Sequence, residues 1–350
     1  MKIILLGAES PKSAVFSKHF KLQSSESFIV GITNKKAVRY IHSRYIDQIE
    51  YLPVSINLLE VYLGHFSELV FVIPMTSDWA RILSNTNCKN KYVCVLQGSA
   101  SVFNQLDSKK EYKKWLKEIV RTPETYSLNE INKQNKIVCK PVVGSGSKGV
   151  RLLNGKDVVL KLFDNEKYIF EEYIPGKGVC IGGFILEGEV ICSMAHLRLF
   201  EWPITGGSSA IRCTYSNDFL ENSFKEIVMR ANWTGFFMVE FKLTPAGQLV
   251  AIECNPRAWG GLPHLLVNSN AMSGIVKILE NCEGRANMEE FEFAKEETQI
   301  VTCSLPLALF VFLKSNLAVK WDILHILKGK VKVDLSLFED IGGWFAQFIK

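Results

Sequence analysis

Several features are missing from these 350 residues, and each absence excludes something. No long apolar run occurs: the greasiest stretch, Leu305–Leu313, holds nine residues and contains Pro306, against about 20 needed to cross a bilayer. The apolar start Ile3–Leu6 gives way at once to Gly7-Ala8-Glu9, too short for the core of a secretion signal. The nine cysteines have no paired spacing, and neither CxxC nor HExxH is present, which argues against a disulfide framework and against a zinc centre. Cys139, Cys180 and Cys192 sit inside apolar runs, as small buried hydrophobes do in a reducing compartment. The sequon Asn232-Trp233-Thr234 then carries no weight. An excess of one charge is lacking too, since 41 Lys+Arg against 36 Asp+Glu leave only +5. Nowhere do basic residues reach the density of a nucleic-acid footprint. The expectation is a cytoplasmic protein with no transmembrane segment and no nucleic-acid partner.

What is present is ample core material, 47% hydrophobic over a length that suits two or three domains. Lys2–Leu6, Phe28–Ile32, Leu69–Pro74 and Tyr92–Leu96 are short β-rich runs separated by helix-competent segments, the rhythm of a Rossmann-like parallel sheet. Gly7-Ala8-Glu9-Ser10 after the first strand is no GxGxxG, so this region is read as structural or substrate-side. Asp107–Val120 is predicted as one amphipathic helix, ended by Thr122-Pro123. From Ile137 the texture is β-rich, with a hairpin around Glu187-Gly188-Glu189. Helices are predicted near Asp218–Asn232 and His264–Glu280, with strands Phe236–Leu243 and Gln248–Cys254 between them.

Four groups of residues carry chemistry. Lys140 ends a strand, and Gly144-Ser145-Gly146-Ser147-Lys148-Gly149 follows, a loop whose backbone N–H groups can approach phosphate oxygens. It is not a Walker A motif, because the lysine precedes glycine and no helix clearly follows. Phe170-Glu171-Glu172-Tyr173-Ile174-Pro175-Gly176 reads as a strand running into a turn, able to present alternating donors and acceptors to a flat heterocycle. Glu240, Glu253, Asn255 and Arg257 lie on a strand pair whose turn falls midway. The hairpin sets the two carboxylates side by side, and residues 253, 255 and 257 share one face. Two carboxylates and an amide oxygen are hard ligands suited to Mg²⁺, and Arg257 offers a fork to phosphate. The flanking apolar runs make these acids costly to bury without a cation. Fourth, His196, Arg198, Gly206-Gly207-Ser208-Ser209 and Arg212 suit an anion or a carboxylate substrate, or an ordinary basic surface loop.

In this order the elements resemble the ATP-grasp superfamily, from about Asp107 to Ala271. The most diagnostic piece is Ile252-Glu253-Cys254-Asn255-Pro256-Arg257, continued by Ala258-Trp259-Gly260-Gly261 as in stand-alone carboxylate–amine ligases. The resemblance implies a mixed α/β and α+β chain: a pre-ATP-grasp Rossmann-like domain at 1–105, then a two-lobed module at 106–290. The module would divide into a lid at about 122–175 and a metal and substrate lobe at about 176–290, with 291–350 packed on the body. It implies ATP and Mg²⁺ (or Mn²⁺) as cofactors. Lys140 would contact the α-phosphate and adenine N7 side, and residues 144–149 would close over the β- and γ-phosphates. Glu171 would receive the adenine amino group, with the backbone of Glu172 and Ile174 framing the ring beside Tyr173. Glu240, Glu253 and Asn255 would hold metal, and Arg257 the transferred phosphate. Lys109 or Lys110 would supply a further phosphate contact. No acid follows the hinge at Gly176-Lys177-Gly178-Val179, which leaves ribose unassigned.

The implied activity is ADP-forming C–N ligation through an acyl phosphate, with Arg257, Lys140, Arg198 and Arg212 as catalytic candidates. The partners would be a small carboxylate and an amine, drawn from amino acids, peptides or sugar acids of a surface polysaccharide. Relatives include dimers, so a homodimer is one expectation. A regulatory nucleotide-binding module without turnover is the alternative. A third reading, a weakly membrane-associated protein, rests on Leu305–Leu313 and Gly342–Lys350, which are otherwise expected to pack on the body.

Overall fold

A computed structural model describes residues 1–39, 41–131, 136–142, 149–154, 167–202, 207–267, 269–282, 299–336 and 339–346. Strand and helix alternate through the first hundred residues: β1 Lys2–Leu6, α1 Pro11–Gln23, β2 Phe28–Thr33, β3 Gln48–Tyr51, α2 Ile56–Gly64, β4 Val70–Pro74, α3 Ser77–Ser84 and β5 Val93–Val95. The strands are parallel in the order β3-β2-β1-β4-β5. Central β1 is buried on both faces, which is why its sequence is an unbroken apolar run. β3 escapes the sequence reading because Gln-Ile-Glu-Tyr has neither the length nor the apolar density of a strand signal. Ser10 caps α1 by accepting the Lys12 N–H, and Pro11 opens the first turn. That places Lys12 beyond the carboxyl end of β1, where open parallel sheets meet their ligands.

The predicted helix over Asp107–Val120 is not one helix. α4 Ala100–Asp107 ends at an extended Ser108, and only α5 Tyr112–Leu116 winds up again. Ser108 accepts the N–H groups of Glu111 and Tyr112, a local alternative to continuing the helix. The break turns the Lys109 N–H toward the Val142 carbonyl. After α6 Leu128–Ile131 come β6 Ile137–Pro141, β7 Arg151–Leu153 and β8 Tyr168–Glu172, a small antiparallel sheet in the order β7-β6-β8.

The largest sheet is built from β9 Lys177–Leu186, β10 Glu189–Trp202, β11 Ser208–Tyr215, β12 Gly235–Leu243, β13 Leu249–Asn255, β14 Val301–Cys303 and β15 Val331–Val333. Its order is β13-β12-β9-β10-β11-β14-β15. Glu187 and Gly188 both take positive φ in the predicted hairpin, matching the right-handed strand twist. Around it lie α7 Asp218–Arg230, α8 Leu262–Leu266, α9 Ser269–Cys282, α10 Leu305–Lys314, α11 Leu317–Leu327 and α12 Ile341–Ala346. The helix predicted over His264–Glu280 is thus two, α8 and α9. Arg198 and Arg212, for which a basic surface loop is one of two readings from sequence, stand opposite each other on β10 and β11.

One apolar core joins the two large sheets. Phe16 of α1 meets the edge of Phe236 on β12, and Phe184, Trp259, Leu262 and Met272 complete the contact. The C-terminal residues tie in through Asp340, which accepts Ser43 Oγ–H and Arg44 N–H. The cleft opens along this shared border.

Candidate active site

The cleft encloses about 610 Å³ between the small sheet, the large sheet and the tips of the N-terminal sheet. Its apolar flank is Val138, Leu152, Ile174 and Ile252, a slot suited to a flat ring. Lys140 crosses this flank, pairing with Glu171 at 2.7 Å and donating to the Ile252 carbonyl at 3.3 Å. Burial would lower its pKa, but Glu171, with Glu253 and Glu240 beyond, carries it above the ordinary lysine value. Lys113 meets the other oxygen of Glu171 at 2.5 Å. Burial lowers Lys113, Glu171 opposes that, and Lys140 adds to the lowering.

Glu171 is only 1% exposed, with one of these ammonium groups ion-paired to each of its oxygens. The cleft wall at this point is instead Glu172, Tyr173 and Ile174, so the carboxylate expected to meet an adenine amino group sits behind the wall. Glu172 is itself pinned by Arg121 at 2.6 Å and by the Glu124 N–H. Sequence reasoning missed Lys113, which no motif marks. Of the two candidate lysines, Lys109 is buried and its charge acts on Glu253, whereas Lys110 is exposed. Gly144, Ser145, Gly146, Ser147 and Lys148 lie outside the described residues. Gly149, at φ +77°, packs against Pro141.

Across the slot Glu240 and Glu253 are register partners on β12 and β13, with Asn255 two residues on. A register shift follows Glu240, the mark of a bulge. Glu253 is raised above the ordinary carboxylate value by burial, with Glu240 adding and Lys109, Lys140 and Arg257 opposing. A carboxylate that burial pushes toward protonation, with a second one beside it, is a donor set that a divalent cation relieves. The residues therefore fit Mg²⁺, with Asn255 as the third oxygen. Among the described residues no three carboxylates, imidazoles or thiols gather as a metal site, so the amide is essential to this set. Arg198 covers Glu240 at 2.6 Å and also reaches Glu201, the Gly207 carbonyl and Cys180 Sγ. It passes over Gly178, where a Cβ would lie 2.8 Å from its Cδ. Arg257 donates to Asn255 Oδ1 at 2.6 Å and to the Ala258 carbonyl at 3.0 Å.

Arg212 does not line the cleft. Its guanidinium is buried against Asp334 and donates to the Ser209 carbonyl, which makes it a tie to the C-terminal segment. The cleft's third side comes from the N-terminal region, read from sequence as structural or substrate-side, through three residues that no motif marks: Lys12, Thr76 and Ser77. Lys12 Nζ donates to the Ala258 carbonyl at 3.1 Å, the oxygen that Arg257 also uses. Burial first, then Arg257, push Lys12 down to about 7, Glu9 opposing. His196 and Trp259 stand beside it in the wall. Buried Trp259 Nε1 and Arg257 Nε have no hydrogen-bond partner among the described residues. His264, behind His196, shares its ring nitrogens with Thr302 and Thr214 and is held down at about 3 by burial and then Arg212.

The model of the ATP-grasp domain family matches residues 106–261, and the parallel Rossmann-like sheet precedes the matched stretch. Solved structures share the fold. The biotin carboxylase domain of Hydrogenobacter thermophilus 2-oxoglutarate carboxylase, a dimer with MgADP, ADP and bicarbonate, is 14% identical with a TM-score of 0.61. The match covers 86% of this chain and 74% of that one. N5-carboxyaminoimidazole ribonucleotide synthetase of Thermotoga maritima is 14% identical, TM-score 0.57, covering 86% and 79%. Campylobacter jejuni biotin carboxylase, as its β,γ-ATP complex, is 11% identical, TM-score 0.58, covering 86% and 75%. No curated protein matches the chain.

Proposed function

We propose that this protein is an ADP-forming carboxylate–amine ligase whose carboxylate substrate enters beside Lys12 and Arg257. The reading is carried by one observation: Glu240, Glu253 and Asn255 line the same cleft as Lys140, and that cleft also takes in Lys12 and Arg257. The substrate carboxylate attacks the γ-phosphorus of ATP, and ADP leaves with the electrons of the broken P–O bond. The amine then adds to the acyl carbon, phosphate departs, and the amine's surplus proton is lost to water. Phosphoryl transfer asks mainly for positioning and charge neutralisation. Lys140 and Lys109 supply charge on the nucleotide side, and Arg257 hydrogen-bonds the transferred group. Glu240, Glu253 and Asn255 would hold a Mg²⁺ ion, which would supply further charge neutralisation. The relatives' bound MgADP and bicarbonate support a nucleotide and a carboxylate-like acceptor meeting in this fold.

The test is Mg²⁺-dependent phosphate release from ATP, screened over carboxylates crossed with amines, with mass spectrometry of the product. ADP together with a new amide mass is expected. AMP as product would refute the acyl-phosphate route. ATP that binds but survives the whole panel would favour the regulatory reading. In the active combination Glu253→Gln abolishes ADP formation; full activity in that variant would remove Glu253 from the metal set.

A further inference from the structure

The C-terminal helices carry an apolar face that nothing among the described residues covers. α10 reads Leu-Pro-Leu-Ala-Leu-Phe-Val-Phe-Leu-Lys, apolar on every side. A helix of that kind needs cover all round. Its inner side has it: Ala308 and Val311, with Ile323 of α11, pack on Ala210, Ile211 and Cys303 of the large sheet. The outer side does not. Leu305, Leu309 and Leu313 repeat every fourth residue, and the last two are 57% and 63% exposed. Leu317, Trp321 and Leu324, spaced four and three residues apart, form a like row on α11, where Leu317 is 76% and Trp321 67% exposed. Exposed large hydrophobics scattered singly are ordinary, but a contiguous set on two adjoining helices marks an interaction surface.

Charge identifies the occupant. Between Leu305 and Val333 stand Lys314, Lys320, Lys328, Lys330 and Lys332, against the single acid Asp322. Four of these lysines are exposed, and Lys320 lies over the Phe312 ring. A second copy of the chain meeting this face about a twofold axis would set the same lysines against themselves. An anionic bilayer surface complements them, and takes the leucine rows and the Trp321 ring into its interfacial layer. Neither helix is long enough to span: among the described residues no helix is long and apolar enough to cross a membrane.

We infer that α10 and α11 form an anionic-lipid docking surface, which seats the protein on a membrane with both helices lying in the interface plane. The chain binds the surface without spanning it, and binding is independent of nucleotide turnover.

The experiment is flotation of the full-length protein with phosphatidylcholine vesicles and with equimolar phosphatidylcholine–phosphatidylglycerol vesicles. Co-flotation with the anionic vesicles alone, weakened by salt, is expected. Trp321→Glu and the triple charge reversal Lys328→Glu, Lys330→Glu, Lys332→Glu should each lower the bound fraction roughly tenfold. These positions are solvent-facing, so unchanged circular dichroism and thermal midpoints show that the variants fold. Equal partitioning of wild type and both variants, or no flotation at all, would overturn the assignment. So would a dimer in sedimentation velocity that Trp321→Glu dissociates, which would give the face to a second copy.

Discussion

Two pairs of cations border the same cleft, and they are built differently. Lys113 and Lys140 are bridged by Glu171, a buried carboxylate meeting them at 2.5 and 2.7 Å. Lys12 and Arg257 are bridged only by the carbonyl of Ala258, at 3.1 and 3.0 Å. The first pair carries a counter-ion of its own, one carboxylate shared by two ammonium groups. The second sets a guanidinium and an amine depressed to about 7 around a neutral oxygen, beside donors of Arg257 and Trp259 that have no partner among the described residues. A closed pair is architecture, whereas an open pair is a place for an anion that arrives with the reaction.

The largest expected effect tests the open pair. Arg257→Ala should cut phosphate release by roughly a thousandfold, the cost of losing a donor aimed at developing negative charge. The thermal midpoint should move little by comparison, because Asn255 and the Ala258 carbonyl can turn to water. A variant with near wild-type turnover would show that the open pair is structural after all. The closed pair should behave in the opposite way. Glu171→Gln leaves two buried ammonium groups without their carboxylate, a loss of about 3 kcal/mol in stability by denaturant melts. Adding Lys113→Met to that variant should restore part of the loss. Absence of rescue would mean that Glu171 acts on the nucleotide directly.

A finer test separates neighbours. Lys109→Ala should raise the KM for ATP and lower turnover by roughly tenfold to a hundredfold, because its buried charge acts on Glu253. Lys110→Ala, on the exposed side of the same turn, should leave both within about twofold. Equal losses would dissolve the distinction.

The legible and illegible parts of this site divide by sequence distance. Glu240, Glu253 and Asn255 could be read because one hairpin supplies all three, and hairpin register follows from a local turn. The first strands were legible for the same kind of reason, as short apolar runs with breaks between them. Lys12 was not, since its place depends on α1 packing against α8 and α9, whose residues come some 250 positions later. Lys113 was hidden because the expected single helix over Asp107–Val120 would have pointed it elsewhere, and only the break at Ser108 gives it Glu171. Arg212 looked like a ligand beside a flexible Gly-Gly-Ser turn. Its partner Asp334 lies in a region with no periodic signal, so nothing in the sequence announced the ion pair. Short-range chemistry was readable, and the wall donated by a distant sheet was not.

The smallest predicted effect is also the one that isolates Lys12. Its pKa falls to about 7 in the folded protein, mainly through burial and then through Arg257. Between that value and the ordinary lysine value the unfolded chain binds a proton that the native state does not. Stability therefore rises with pH through this window, and below about pH 7 the native state carries the full cost of a buried charge. Lys12→Met removes the titration, so the variant should be the more stable protein near pH 6, with the difference shrinking by about pH 9. The same variant should raise the KM for the carboxylate substrate while the KM for ATP stays put, because Lys12 belongs to the open pair with Arg257 and not to the Lys140 side of the cleft. A carboxylate added to wild type should in turn lift Lys12 back toward its ordinary value by supplying the missing counter-ion, and flatten the pH dependence of the melt. If the Met variant keeps the wild-type slope, Lys12 is not the group that titrates. The contrast between the closed and the open pair would then rest on Arg257 alone.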